Sequence, residues 1–121
     1  MWGMARTPYE KTFYIDADTE VMHEDIKNVF DNLDENHDMA MTKVRSYSAV
    51  ITKFPGGEFT WHCGVCLYNN KPVTLQFMQD WYDYYNRQEK MRLSGEWDLP
   101  DSLYPREKLW HWDTFTFWRL L

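Results

Sequence analysis

The segment KTFYIDADT, from Lys11 to Thr19, decides how the fold is interpreted. Its first five residues are β-prone and largely apolar, and the run stops at Asp16, so we predict a buried strand followed by a turn. Asp16 and Asp18 come directly after that strand, and residues i and i+2 of an extended chain point the same way. Two carboxylates about 5 Å apart repel by roughly 3 kcal/mol at an effective dielectric near 20. The pair therefore favours either full solvation or a bound divalent cation.

The same aspartates allow two other interpretations. In a solvated turn, Asp side chains commonly accept hydrogen bonds from nearby backbone amides. Asp16, Asp18 and Glu20 also begin like the calcium loop of an EF-hand. Val21 stands where that loop requires glycine, and Lys27 stands where it requires an acid, so we exclude an EF-hand.

The rest of the chain predicts a single α/β domain over residues 1–121. Apolar residues three and four apart predict helices, Pro72 suits a first helical position, and Pro55-Gly56-Gly57 marks a turn. The predicted order is β-α-β-β-β-α-α, which implies a small mixed sheet flanked by helices. The elements after the first strand are a helix over 24–33, strands over 39–44, 46–52 and 64–68, and helices over 72–93 and 113–121.

Composition narrows the class of protein. A chain of 121 residues with 44% hydrophobic and 18% aromatic residues is expected to fold rather than stay disordered. The formal net charge of −6 argues against a nucleic-acid partner. No apolar run approaches the ~18 residues of a membrane span. Two cysteines are too few for a disulfide scaffold, so we expect a cytoplasmic location.

Two further features have alternative explanations. Cys63 and Cys66 form a C-x-x-C pair that indicates two buried free thiols, a redox pair or part of a zinc site. In a regular strand these two side chains would face opposite sides. The helix over 72–93 is apolar on two sides, which predicts either cover by long loops or an interface in a homo-oligomer.

Five short segments, taken in order, resemble the catalytic half of GT-A glycosyltransferases, which use nucleotide-sugar donors. The first is the strand that ends in the metal-binding D-x-D motif of that family. The others resemble its following helix, a later glycine-containing strand, an aromatic helix element and a late acidic helix. In this chain they read YIDADT (14–19), IKNVFDNLD (26–34), HCGVCLY (62–68), QDWY (79–82) and DTFTF (113–117).

The resemblance implies a metal and a donor site. Asp18 would bind Mn²⁺ or Mg²⁺ directly, and Asp16 would contact the donor ribose or a water on the metal. His111 is the candidate for a third metal ligand. The ion would neutralise the diphosphate leaving group.

The resemblance also implies the acceptor side of the site. His62, Cys63 and Gly64 would line the sugar or acceptor, with the glycine allowing a close backbone approach. Asp113 would be the catalytic acidic residue beside the reacting sugar. Thr114 departs from the family pattern, which has glutamine at that position.

Three hypotheses about function follow. The first is a minimal metal-dependent, hexosyltransferase-like glycosyltransferase that takes a nucleotide-sugar donor and a hydroxyl acceptor. Because only 15 residues precede Asp16, the nucleotide-binding half of the GT-A fold would be truncated and the site shared within a homo-oligomer. The second is a non-catalytic GT-A-like module that binds a sugar, a nucleotide or a protein. The third is an unrelated α/β protein with redox or structural cysteines.

Overall fold

The computed structural model describes residues 1–43, 61–96 and 113–121. The predicted strand over 46–52 lies outside these ranges. The described elements are 3₁₀ helices Met4–Arg6 and Glu24–Asn32, strands β1 (Lys11–Ile15), β2 (Met39–Lys43) and β3 (Trp61–Asn69), and helices α1 (Pro72–Ser94) and α2 (Asp113–Leu120). The prediction of a small protein that combines a sheet with helices is confirmed.

The three described strands form an antiparallel sheet in the order β1-β3-β2. The predicted mixed sheet is therefore wrong for this part of the chain. β1 and β2 do run parallel to each other, but β3 lies between them and runs against both. The order of elements along the sequence does not reveal which strand occupies the middle.

β3 is irregular where it pairs with β2. Met41 pairs with Cys66, but the next residue of β2, Thr42, pairs with His62, so residues 63–65 lie opposite a single step of β2. Such a bulge bends a strand and changes the direction of its side chains. Cys63 consequently joins Cys66 in the same buried cluster, and the expectation that they face opposite sides is wrong.

The core lies between the sheet and the two α-helices. α1 begins with Pro72 and ends at Gly95, whose φ of 76° suits a glycine C-cap. Trp81 of α1 meets Phe117 of α2 edge to face, with ring centroids 5.0 Å apart. The central buried residues are Cys63, Cys66, Tyr68, Met78, Trp81 and Phe117.

The apolar residues on both sides of α1 are mostly covered. Met78 and Trp81, which are neighbours at i and i+3, are both buried. The other apolar residues of the two sides are half-buried, except Val73, which is 64% exposed. The homo-oligomer thus stays a prediction. None of the helices in the described ranges is long and apolar enough to cross a membrane.

The segment predicted as a helix over 24–33 is a 3₁₀ helix rather than an α-helix. His23 caps its start, because the ring Nδ1 accepts a hydrogen bond from Asp25 N at 3.2 Å. A 3₁₀ helix has three residues per turn, so apolar side chains spaced for an α-helix do not stay on one face. Ile26 and Phe30 accordingly remain 40% and 37% exposed.

Candidate functional site

The candidate site begins where β1 ends. The backbone N–H of Asp16 donates to Gly64 O at 2.9 Å, which holds the residue after β1 against β3. Thr19 N then donates to Asp16 O at 3.0 Å and closes a turn. The prediction that Asp16 and Asp18 point the same way assumed an extended chain. The chain is no longer extended beyond Asp16, so this basis for the prediction is absent. Asp16 is half-buried, and Asp18 lies exposed in the turn.

The Asp16 carboxylate is held on two sides. Its Oδ1 accepts a hydrogen bond from the Tyr14 hydroxyl at 2.8 Å. Its other oxygen, Oδ2, lies over the α-carbon of Gly64. A Cβ at Gly64 would collide with Oδ2 and would lie 2.7 Å from His62 Cε1 and 3.0 Å from Asp16 Cγ. The missing side chain of Gly64 thus makes room for the carboxylate and the His62 ring.

Asp113, from the C-terminal part of the chain, lies near enough to Asp16 for the charge of Asp16 to act on it. It is the first residue of α2, and its Oδ1 accepts from Thr114 N at 2.7 Å. Burial raises the pKa of the Asp113 carboxyl above its usual range, and the negative charge of Asp16 raises it further. Cys63 also interacts electrostatically with both aspartates. Asp16 thus lies over Gly64 and beside His62, and Cys63 and Asp113 lie near enough for the charge of Asp16 to act on them.

Trp81 fixes the start of α2. Its indole N–H donates to Asp113 O at 3.0 Å and to Thr116 Oγ1 at 3.1 Å. The Thr116 hydroxyl itself donates to Asp113 O at 2.7 Å. These bonds hold the backbone of Asp113 against α1, and this fixes the position from which its carboxyl group extends.

We predict that the replacement Asp113→Asn makes the protein relatively more stable as pH rises from 4 to 8. A carboxyl with a raised pKa in the folded state favours folding while it is protonated, and this contribution is lost as pH rises through the folded pKa. Asparagine keeps the oxygen that accepts from Thr114 N but carries no charge. The difference in Tm between variant and wild type, measured across this pH range, should grow in favour of the variant. A difference that stays constant with pH would contradict the prediction.

The two cysteines are buried free thiols. Burial raises the pKa of Cys66 to about 12 and that of Cys63 well above its usual range. Redox-active thiols have lowered pKa values, because the thiolate is the reactive form. The buried-thiol interpretation is therefore favoured over the redox one. Cys63 has 2% of its surface exposed.

The side chains that could coordinate a cation do not form a complete set of ligands in the described ranges. Within residues 1–43, 61–96 and 113–121, no three His, Cys, Asp or Glu side chains form a group that could hold a metal. His111 lies outside these ranges. Mg²⁺ commonly binds through one or two protein carboxylates together with substrate phosphates. A site of that kind at Asp16 and Asp18 stays a prediction, in which the remaining ligands would come from a diphosphate and water.

Tyr14 and Trp81 are the residues of the site that the sequence analysis did not single out. Tyr14 was assigned only to the strand, and Trp81 only to an aromatic element of the helix. The alternation of β1 contained a signal, because residues 14 and 16 lie on the same face of a strand. The bond between Trp81 and the start of α2 has no comparable signal, since 32 residues separate the partners.

Comparisons of the chain with protein-family models, known proteins and solved structures found no match.

Proposed function

We propose that the protein is a glycosyltransferase that binds a nucleotide-sugar donor with Mn²⁺ or Mg²⁺ and transfers the sugar to a hydroxyl acceptor. One observation carries the proposal. Residues that the GT-A resemblance assigns to a single site, although they span almost 100 positions of sequence, lie close enough for the charge of Asp16 to act on Cys63 and Asp113. They are Asp16, His62, Cys63, Gly64 and Asp113.

Each residue has a role in this proposal. Asp16 and Asp18 would hold the cation and the donor, and the cation when bound would neutralise the departing diphosphate. His62 and Gly64 would border the sugar. Asp113 would accept the proton of the acceptor hydroxyl as its oxygen bonds to the sugar carbon and the diphosphate leaves with the bonding electron pair. A raised pKa supports this role, because a general base is most effective when its pKa lies near the working pH.

A second candidate function is donor or sugar binding without transfer. It is favoured by the engagement of one Asp16 oxygen with the Tyr14 hydroxyl, which leaves fewer carboxylate oxygens for a cation. The two functions share the same site and differ in whether a sugar is released from its nucleotide.

The proposal predicts that Mn²⁺ together with the matching nucleotide-sugar raises the Tm. A ligand at about 100 times its Kd stabilises the native state by about 2.7 kcal/mol, which corresponds to roughly 10 °C for a domain of this size. The measurement is a thermal-shift panel of nucleoside diphosphates and nucleotide-sugars, each with and without Mn²⁺. Asp18→Ala should remove the shift.

Asp31→Ala is the matched control, because Asp31 is an exposed aspartate on the 3₁₀ helix, outside the site. It should keep the full shift. A shift accompanied by release of nucleoside diphosphate in the presence of an acceptor supports transfer. A shift without such release supports the binding module instead. The absence of a shift throughout the panel would rule out donor binding and, with it, the transfer.

A further inference from the structure

We propose that an apolar groove between the sheet and the 3₁₀ helix Glu24–Asn32 is a docking site for a basic amphipathic helix of a partner protein. The groove measures about 280 Å³, and Phe13, Val29, Ala40 and Leu67 are among the residues that line it. The inference does not depend on the proposed sugar transfer. It depends on the apolar lining of the groove and on the charge of the segment that forms its wall.

The floor of the groove is the face of the sheet that is turned away from the core. Phe13 and Ala40 both pair with Leu67, one from each side, so the three side chains lie on the same face. The neighbouring residues Tyr14 and Cys66 point to the other face and contribute to the core there. A sheet face is normally covered by helices or by a second sheet. The 3₁₀ helix covers this face in part and leaves the groove beside it.

The 3₁₀ helix forms one wall of the groove with a single row of side chains. Because a 3₁₀ helix has three residues per turn, Ile26, Val29 and Asn32 lie in one row. Val29 and Asn32 line the groove, and Ile26, which is 40% exposed, continues the row. Phe30, from the adjacent row, meets Phe13 edge to face with ring centroids 6.4 Å apart. None of the nine helix residues is buried, so the apolar row faces the groove without being enclosed.

The wall carries a strong negative charge. The segment 16–38 contains nine acidic residues and a single basic one, Lys27, which gives it a formal charge of −8 against −6 for the whole chain. Asp25 and Asp31 lie in the row of the 3₁₀ helix that contains neither Phe30 nor Val29. Both are exposed and border the apolar row on its solvent side. Such a border repels phosphate groups and attracts lysine and arginine side chains.

The size and chemistry of the groove together define its occupant. Pockets for drug-sized molecules measure about 300–1,000 Å³, so this groove is better matched to one or two side chains of a partner. Exposed apolar side chains with a polar border are typical of interaction surfaces. Amphipathic helices bind in such grooves through apolar residues three and four apart. The negative border requires that the flanking residues of the partner helix be basic.

The probe is a fluorescently labelled synthetic peptide of about 15 residues, with leucine at i, i+3, i+4 and i+7 and lysine at the other positions. Its binding to the full chain is followed by fluorescence anisotropy. Two comparison peptides replace every lysine by glutamate or every leucine by serine. We expect only the lysine–leucine peptide to bind. Its affinity should fall several-fold as NaCl is raised from about 50 to 300 mM, because exposed charges are then screened.

Ile26→Ser tests the apolar wall. It should weaken peptide binding by about fivefold or more, mainly through faster dissociation, because it removes an apolar contact from the interface. Val73→Ser is the matched control, because Val73 is 64% exposed and lies on α1. It should bind the peptide like wild type. The Tm of both variants should stay close to that of wild type, since both residues are exposed.

The double variant Asp25→Asn/Asp31→Asn tests the negative border. It should slow association of the peptide several-fold and reduce the effect of salt, because charges at the edge of an interface act mainly on the association rate. Asp83→Asn is the matched control, because Asp83 is an exposed aspartate of α1. It should leave both the rate and the salt effect unchanged.

Peptide binding that Ile26→Ser and the double aspartate variant weaken, and that both controls leave unchanged, would support the proposal. No binding of the lysine–leucine peptide, or equal binding of the glutamate–leucine peptide, would overturn it. Unchanged binding in Ile26→Ser would also overturn it, because the peptide would then be attracted by charge without entering the groove. A dimer of the wild-type chain in analytical ultracentrifugation that Ile26→Ser dissociates would make a second copy the occupant, and would overturn the proposal of a basic partner.

Discussion

Gly64→Ala should weaken the proposed binding of Mn²⁺ and donor by roughly tenfold or more and destabilise the fold by about 1–3 kcal/mol. The added Cβ would collide with Asp16 Oδ2 and would lie 2.7 Å from His62 Cε1. Contacts that short force the neighbouring groups to move. A shift of the Asp16 carboxylate away from the new Cβ would disturb its hydrogen bond with the Tyr14 hydroxyl. The single added methyl group thus acts on the arrangement that the proposed function requires.

Chemical denaturation measures the free energy of unfolding. A titration with Mn²⁺, followed by the electron paramagnetic resonance signal of the free ion, measures the Kd. Gly3→Ala is the control, because a Cβ at Gly3 meets nothing within 4 Å and its φ of −67° suits alanine. It should change stability by no more than about 0.5 kcal/mol. Wild-type values of both Kd and Tm for Gly64→Ala would show that the carboxylate is not constrained as described.

A double variant shows which of the two close contacts, with Asp16 or with His62, causes the loss of stability. In the double variant Gly64→Ala/Asp16→Ala, the collision with the carboxylate is absent and only the contact with His62 Cε1 remains. Part of the lost stability should therefore return relative to Gly64→Ala alone. A destabilisation that persists in full would assign the strain to His62 instead.

The elements of the fold could largely be predicted from local signals. The apolar run before Asp16 correctly predicted β1 as Lys11–Ile15, and Pro72 correctly predicted the start of α1. The direction of pairing could not be predicted in this way. It depends on β3 occupying the middle of the sheet, and strand periodicity is the same for both directions of pairing.

The candidate site was only partly predictable for the same reason. That Asp16 lies over Gly64 follows from the pairing of Ile15 with Val65, a register that no local pattern specifies. The bulge in β3 turns Cys63 into the core, and it depends on the pairing with β2. The resemblance of the short motifs assigned Asp16, the segment 62–64 and Asp113 to one site. Asp16 does lie over Gly64 beside His62, and its charge acts on Asp113, but their common role stays a prediction.

The largest loss of stability is expected for Trp81→Ala, at about 3–5 kcal/mol, as is typical when a buried aromatic side chain is truncated. Trp81 is 1% exposed, and its ring packs edge to face on Phe117 at 5.0 Å. The replacement leaves a cavity between α1 and α2 and removes the indole N–H that holds Asp113 O and Thr116 Oγ1. Since domains of this size are stable by only about 5–15 kcal/mol, the loss should be plain in urea denaturation.

Two companion variants separate packing from hydrogen bonding at Trp81. Trp2→Ala is the control, because Trp2 is 58% exposed and lies outside the core cluster, and it should cost less than about 1 kcal/mol. Trp81→Phe keeps an apolar ring but loses the N–H, so it should cost about 1–3 kcal/mol. Because the lost bond is the one that ties Asp113 to α1, this variant should impair the proposed sugar transfer by more than its stability loss explains. Full transfer activity in a folded Trp81→Phe protein would show that the Thr116 hydroxyl alone is enough to hold the start of α2.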